Sequence, residues 1–356
     1  MNTDRRLRIT TTPGLEDLAA AEVTECLTSA GITQFTITEK PNRLAGNIGL
    51  TSPVTLEDFV DALRECRSIQ HIVQEYAATA MEQGFGPDDV AAWVAGLELP
   101  IARDDRSFRA SCRRVGTHAF TSPDVERAVG TVIHESYGLP VDLTGYETEI
   151  RVDIVGVDCF VGRQLTRETL DRRFAWVYRP RVTLRTNIAY CLLIMARLTG
   201  TETVLDPFCG SGTIPIEAAA AFPNLRILAS DRSDEAVEGA RANATAAGIA
   251  HRIEFSRLDV FELSRAHAPG AIDSIVTDPP IGVRLGRNMD FLGFYRRFLC
   301  QAFVVLKPGG RIVLLTGRRR RLIQAIDEHG GFDTVHVRVI ETGGLYTRVF
   351  VLSRRA

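Results

Sequence analysis

The chain has 356 residues, enough for two or three domains, and its 45% hydrophobic and 24% charged residues are ordinary for a globular protein. No apolar run is long enough to cross a membrane, and Met1-Asn2-Thr3-Asp4-Arg5-Arg6 has no apolar stretch behind it, which excludes a spanning or signal-led protein and predicts a cytoplasmic one. A net charge of −2 excludes a surface basic all over, so any grip on nucleic acid has to come from local patches. The seven cysteines are scattered without a Cys-x-x-Cys spacing and the seven histidines form no cluster, which predicts reduced thiols and no metal.

In chain order, residues 1–55 read as a strand at 6–12, a helix at 15–30 and strands at 35–39 and 44–50, with Pro13-Gly14 and Gly31 punctuating the helix. A second unit covers 56–165. Its middle reads Ser107-Phe108-Arg109-Ala110-Ser111-Cys112-Arg113-Arg114-Val115-Gly116, a strand that carries two arginines into a glycine and then into a helix starting near Ser122-Pro123. Val141-Asp142-Leu143 and a strand pair at 149–154 and 157–162 follow. This order resembles the THUMP domain, an RNA-binding module of tRNA- and rRNA-modifying enzymes, preceded by a ferredoxin-like N-terminal domain. The likeness is densest over 107–165 and rests on element order over 56–106.

A linker is expected at 166–185, containing Pro180 and a cluster of Arg172, Arg173, Arg179, Arg181 and Arg185. With Arg113-Arg114 and the run Arg318-Arg319-Arg320-Arg321, these are the local basic patches; each is either a phosphate contact or a solvated face. Only two of the 42 Lys and Arg residues are lysines, which reflects genome composition as much as function.

The last domain is expected over 186–356. An apolar strand at 202–205 ends in Asp206-Pro207-Phe208-Cys209-Gly210-Ser211-Gly212, and a helix opens at Thr213. Gly210 and Gly212 let backbone approach a ligand closely, and the helix points its free N–H groups at the same place. A strand at 225–229 ends at Ser230-Asp231, where Rossmann-type sites hold ribose hydroxyls. A helix at 233–247 leads through Gly248 to a strand at 253–256 and to Asp259, and a strand at 272–276 runs into Thr277-Asp278-Pro279-Pro280-Ile281-Gly282. Gly210-x-Gly212 lacks the third glycine of a dinucleotide fingerprint, and no Gly-Lys-Ser/Thr exists for a phosphate loop. Then come a helix at 291–305, a tight turn at Lys307-Pro308-Gly309-Gly310, a strand at 311–316, a helix at 319–329, and strands at 334–342 and 345–353 joined as a hairpin at Gly343-Gly344. Arg284 and Arg287 either hold RNA phosphate or cap a loop.

Asp206–Gly212 and Thr277–Gly282 together resemble the motifs of S-adenosylmethionine-dependent methyltransferases that act on exocyclic amines of nucleobases. The lone pair of such an amine is delocalised into the ring and attacks a methyl sulfonium poorly unless acceptors draw its protons away. Asp278 and a carbonyl of the rigid Pro279-Pro280 turn would supply those acceptors, while Ile281 stands where these families usually carry an aromatic residue to stack on the flipped base. From end to end the chain resembles the THUMP-containing RNA guanine-N2 methyltransferases, especially the tRNA acceptor-stem enzymes, with the rRNA enzymes as relatives. The resemblance implies an α/β fold: a Rossmann-like class I methyltransferase domain, its seven-stranded, mostly parallel sheet closed by a reversed hairpin, behind the ferredoxin-like and THUMP units.

The resemblance also implies S-adenosylmethionine as cofactor, held by Asp206, Pro207, Phe208, Cys209, Gly210, Gly212 and Thr213. Asp231 would take the ribose, Asp259 the adenine amine, and Asn187 would lie beside them; Cys209 would be a small filler. Arg113, Arg114, Arg172, Arg173, Arg179, Arg181 and Arg284 would contact RNA. The THUMP unit would grip the acceptor region and 3′ end of tRNA while a monomeric enzyme modifies a guanosine, because A-form RNA offers shape and phosphates rather than readable edges. The same reaction on rRNA or on an adenine amine, and an RNA-binding protein of weak activity that keeps the fold, are the alternatives.

Overall fold

The computed structural model describes residues 5–41, 44–101, 105–181, 183–280, 290–342 and 344–356. The chain divides into two compact units, one of Met1–Thr11 with Ala19–Leu170 and one of Thr12–Leu18 with Asp171–Ala356.

The first unit contains β1 (Arg5–Thr11), α1 (Glu16–Ser29, shared at its first turn with the second unit), β2 (Thr36–Glu39), β3 (Asn47–Ser52), α2 (Leu56–Leu63) and β4 (Ile69–Ala80). It continues with α3 (Pro87–Ala95), β5 (Phe108–Val115), α4 (Ser122–Tyr137), β6 (Thr148–Val155) and β7 (Asp158–Gln164). Among the described residues its strands form one seven-stranded sheet in the order β2-β3-β1-β4-β7-β6-β5. The join is β4, which pairs with β1 (Ile9 opposite Ile72) and with β7 (Ala78 opposite Phe160), so strands from residues 1–55 and from 56–165 share a single sheet. Periodicity does not reveal β4, because Gln70, Gln74 and Glu75 break its apolar alternation.

One of these polar positions, Glu75, has a use. Arg8 on β1 is 1% exposed; its Nη2 pairs with Asp153 on β6 at 2.7 Å and its Nε lies 3.5 Å from Glu75 on β4. Arg151 grips the same Asp153 through Nε and Nη2, both at 2.9 Å. Burial alone would raise the Asp153 carboxyl, but Arg8 and Arg151 outweigh it and hold it well below the usual carboxylate range. A charged layer therefore ties β1, β4 and β6 together between the two apolar clusters, one centred on Ile9 and Phe59 and the other on Phe108 and Val152.

The second unit contains α5 (Thr186–Met195), β8 (Thr203–Asp206), α6 (Thr213–Ala221), β9 (Arg226–Asp231), α7 (Asp234–Ala246), β10 (Ile253–Arg257), α8 (Leu263–Ala266) and β11 (Ile272–Thr277). It ends with α9 (Phe291–Val305), β12 (Leu306–Thr316), α10 (Arg319–His329), β13 (Phe332–Thr342) and β14 (Leu345–Arg354). Its sheet runs β10-β9-β8-β11-β12-β14-β13 among the described residues. The first five strands are parallel; β14 alone is reversed, antiparallel to both β12 and β13. Successive residues serve opposite faces: Val204 and Ile227 join one core with α5, α6 and α7, while Leu205 and Leu228 join another with α9 and α10. Burial on both faces is why these strands read as continuous apolar runs.

One expected element is corrected. Lys307–Gly310 is not a turn ahead of the strand but part of β12, which α9 enters directly at Leu306. Leu306 pairs with Ile272 and Arg311 with Ser274, so the intervening residues bulge out of the ladder, with Gly309 at a φ of 76°. The hairpin strands run longer than expected, and Gly343 lies outside the described residues. Residues 12–18 belong to this unit because Leu15 sits in its core and Arg338 forms a bidentate pair with Asp17. Gly14 has a φ of 94°, and a Cβ there would sit 2.1 Å from the Val339 carbonyl oxygen, so glycine is required. Among the described residues no helix is long and apolar enough to cross a membrane.

Candidate active site

Parallel strands that run side by side present their carboxyl ends along one edge, and four aspartates stand there. Asp206 closes β8, Asp231 closes β9, Asp259 follows β10 and Asp278 follows β11. Asp206 is 3% exposed; its Oδ1 accepts hydrogen bonds from Thr277 Oγ1 at 2.6 Å and from the Phe208 amide at 3.1 Å. Burial pushes its carboxyl up to about 7; these two bonds oppose that, and the charges of Asp278 and Asp231 add to it. Burial likewise pushes the Asp278 carboxyl up to about 7. Its Oδ1 is shielded from solvent with no hydrogen-bond partner among the described residues. An acceptor left open in that way costs stability and is ready for a donor from outside the fold.

Between β8 and α6 the loop turns through two left-handed glycines, Gly210 at a φ of 51° and Gly212 at 84°. A Cβ on Gly212 would lie 3.0 Å from the Ala240 Cβ of α7, so this glycine serves close packing. A Cβ on Gly210 would meet nothing nearer than the Phe208 carbonyl oxygen at 3.9 Å, so the loop opens onto free space at that point. The Gly210 amide donates to Asp231 Oδ2 at 3.2 Å, and Asp231 Oδ1 accepts from the Ser233 amide at 3.0 Å, which fixes the carboxylate between the glycine loop and the start of α7. Thr213 opens α6, whose first amides have no partner within the helix. Cys209 is buried, and burial drives its thiol far up, leaving a neutral packing group rather than an ionised nucleophile. Pro207 is buried beside it, and Phe208 packs against Phe294 and Phe298 of α9 at ring distances of 5.6 and 5.9 Å.

Asp259 spends Oδ1 on the Phe261 amide at 2.9 Å, capping a short 3-10 turn. Asn187, in the first turn of α5, is 0% exposed and donates to Thr12 Oγ1 at 2.9 Å. Pro279 is buried and Pro280 half-buried, while Ile281, Arg284 and Arg287 lie outside the described residues.

The arginines divide. Arg113 and Arg114 lie near the end of β5, the edge strand of the first sheet, with the Arg114 guanidinium 5.3 Å from the Phe120 ring centre. Arg172, Arg179 and Arg181 are exposed. Arg173 instead turns inward, its Nη2 2.9 Å from Oε1 of the fully buried Glu217, so its charge is compensated within the fold.

Three residues that carry the geometry were assigned no role from sequence. Thr277 lies inside the quoted motif but owes its importance to its bond with Asp206 on a different strand. Asn243 is a polar residue on the apolar stripe of α7 formed by Ala236, Val237, Ala240 and Ala244, and that misplacement was the available signal. Tyr178 sat in the expected linker. Its main-chain N–H and C=O both bond to the Asn243 side chain.

The comparisons with known proteins agree along the whole chain. A THUMP domain matches residues 88–162, and the UPF0020 family, an RMKL-like methyltransferase domain, matches residues 177–348. The tRNA (guanine(6)-N2)-methyltransferase of Thermus thermophilus is 37% identical over 355 residues, covering 98% of this chain and 99% of that one. The crystal structure of TrmN from Thermus thermophilus superposes with a TM-score of 0.77 at 35% identity, covering 98% of this chain and 99% of that one. A putative methyltransferase complexed with SAH shares the fold at 17% identity, with a TM-score of 0.73 over 99% of this chain and 98% of that one. A mixed seven-stranded sheet with an acid at each of four strand ends, a THUMP domain ahead of it and this degree of identity place the chain in the tRNA (guanine(6)-N2)-methyltransferase family of S-adenosylmethionine-dependent enzymes.

Proposed function

We propose that the protein methylates the exocyclic N2 amine of a guanosine in the acceptor stem of tRNA, at position 6 as the names of its relatives state, using S-adenosylmethionine. The observation that carries this reading is the shielded Asp278 Oδ1 just past the end of β11, without a hydrogen-bond partner among the described residues and next to the Asp206–Thr277 pair. The cofactor supplies an electrophilic methyl on a sulfonium. Asp278 accepts an N–H of the guanine amine and the Pro279-Pro280 turn offers a carbonyl to the other, which returns the nitrogen lone pair to reactivity. Transfer of that methyl would form a nitrogen–carbon bond at the expense of the carbon–sulfur bond, and Asp278 would take up the displaced amine proton. Burial favours that uptake, since it raises the basicity of the carboxylate.

The residues fit the cofactor. Gly210 leaves space beside the loop, the α6 amides suit the methionine carboxylate, and Asp231, held at two points, presents oxygens to ribose hydroxyls. Asp259 is offered to the adenine amine. Asn187, buried in the first turn of α5 and bonded to Thr12, lies beside the cofactor in this reading. RNA is gripped by the THUMP-containing unit through Arg113 and Arg114, joined by Arg172, Arg179, Arg181 and Arg284, while Arg173 is committed to Glu217. The division of labour follows the two compact units, Met1–Thr11 with Ala19–Leu170 for RNA and Thr12–Leu18 with Asp171–Ala356 for chemistry, in a monomer working in the cytoplasm.

The test is methyl transfer to tRNA transcripts followed by nucleoside mass spectrometry. N2-methylguanosine should form on a transcript with guanosine at position 6 and be absent when that position is adenosine. Product on rRNA alone, or N6-methyladenosine, would replace this reading with its alternatives.

A further inference from the structure

Residues 171–181, expected as linker, are fastened to the cofactor half of the methyltransferase unit. Thr186 Oγ1 donates to the Asp171 carbonyl at 2.5 Å, Arg173 pairs with Glu217, and Phe174 and Trp176 pack against the core of α5, α6 and α7. The fastening culminates at Asn243, which is 0% exposed. Its Oδ1 accepts from the amides of Val177 at 2.9 Å and Tyr178 at 2.8 Å; its Nδ2 donates to the carbonyls of Tyr178 and Ser211, both at 2.9 Å. A primary amide has two donors and an acceptor with two lone pairs, so Asn243 is saturated. Ser211 lies inside the glycine loop, and the amide before it, Gly210, is bonded to Asp231.

The Tyr178 ring lies on Gly239 of α7, where a Cβ would come within 2.2 Å of it, so only glycine admits the ring there. Its hydroxyl is raised above its ordinary value by partial burial and by the charges of Glu235 and Asp231. One buried amide thus holds the strap, the glycine loop and, through that loop, Asp231 in a common frame.

We propose that Tyr178 is a wall of the S-adenosylmethionine pocket beside Asp231, and that Asn243 is the positioning residue that sets this wall and the glycine loop in register. The assignment rests on the cofactor placement given above. It explains why a charged and aromatic segment is pinned to α7 instead of spanning freely, and why Gly239 lacks a side chain in mid-helix, where glycine is otherwise unfavourable.

Calorimetric titration of the full-length protein with S-adenosylhomocysteine tests it, alongside thermal unfolding and steady-state kinetics. Tyr178→Ala, at a half-buried position whose main-chain bonds survive the change, should fold normally and bind about tenfold more weakly, with a raised KM for S-adenosylmethionine and kcat at saturation within about twofold. Asn243→Asp puts a carboxylate against two carbonyls and should weaken binding at least as much. Unchanged tRNA affinity in both variants is expected. Wild-type affinity for S-adenosylhomocysteine in Tyr178→Ala would overturn the wall, and a lower melting temperature with unchanged affinity in Asn243→Asp would reduce Asn243 to a structural role. Absence of binding by the wild-type protein would overturn the placement of the cofactor itself.

Discussion

Asp206 and Asp278 are both held near 7 by burial, and Thr277, the residue before Asp278, bonds to Asp206. In the proposed mechanism Asp278 accepts amine protons only when ionised, so kcat/KM should rise with pH through about 7, and Asp278→Ala should abolish the rise along with at least about a hundredfold of the rate. Retained activity in that variant would refute amine activation by this carboxylate. The same shift has a consequence for stability. A carboxyl whose folded value of about 7 lies above its ordinary 3.8 favours folding while protonated, so its contribution is complete below the ordinary value and is lost as pH rises through 7. The melting temperature of the protein without ligand should therefore fall as pH rises from the ordinary 3.8 to about 7 and level off above that, and Asp206→Asn should flatten part of that fall. Residue 281 is an isoleucine where the resembled families carry an aromatic, so in the proposed reading Ile281→Tyr or Ile281→Phe should raise kcat/KM for tRNA, stacking being worth about 1–3 kcal/mol where the ring fits; a pair of variants slower than wild type would place the base elsewhere.

At the level of elements, the first sheet depends on a charged layer that most sheets lack. Arg8 and Arg151 share one acceptor, Asp153, and truncating a shared partner strands two buried cations. Asp153→Ala should cost about 3–5 kcal/mol and lower the melting temperature clearly, because an uncompensated buried charge costs far more than the pair contributes. A melting temperature within a degree or two of wild type would show that water reaches the layer. In the second sheet, the bulge within β12 and the direct run from α9 into that strand leave Leu306 to register β12 on Ile272, and β11, which runs into Asp278, is framed by β8 on one side and β12 on the other.

For the whole molecule, grip and chemistry are assigned to different units, so they should separate under mutation. Replacing Arg113 and Arg114 together by alanine should weaken tRNA binding and lower the slope of log affinity against log salt by about 1.5, as expected for two lost phosphate contacts. Affinity for S-adenosylhomocysteine should stay at the wild-type value. An unaltered salt slope would move the RNA contact away from β5.

The methyltransferase half was the more legible part of the sequence. Its strands are buried on both faces and read as apolar runs, each ending in a short motif, so Asp206, Asp231, Asp259 and Asp278 could be placed at strand ends from order alone. The THUMP half was legible where an edge strand runs through a glycine into a capped helix, and β4 was hidden because polar residues break its alternation, one of which, Glu75, faces the buried Arg8 of a strand distant in sequence. Only the tertiary structure decided that Arg173 turns inward to Glu217, that residues 12–18 belong with β13, and that Tyr178 is bound to the glycine loop through Asn243. Local pattern records how a residue is buried within its own element. Which polar partner meets it across elements is settled when the chain closes, because a buried polar group is tolerated only where hydrogen bonds complete it.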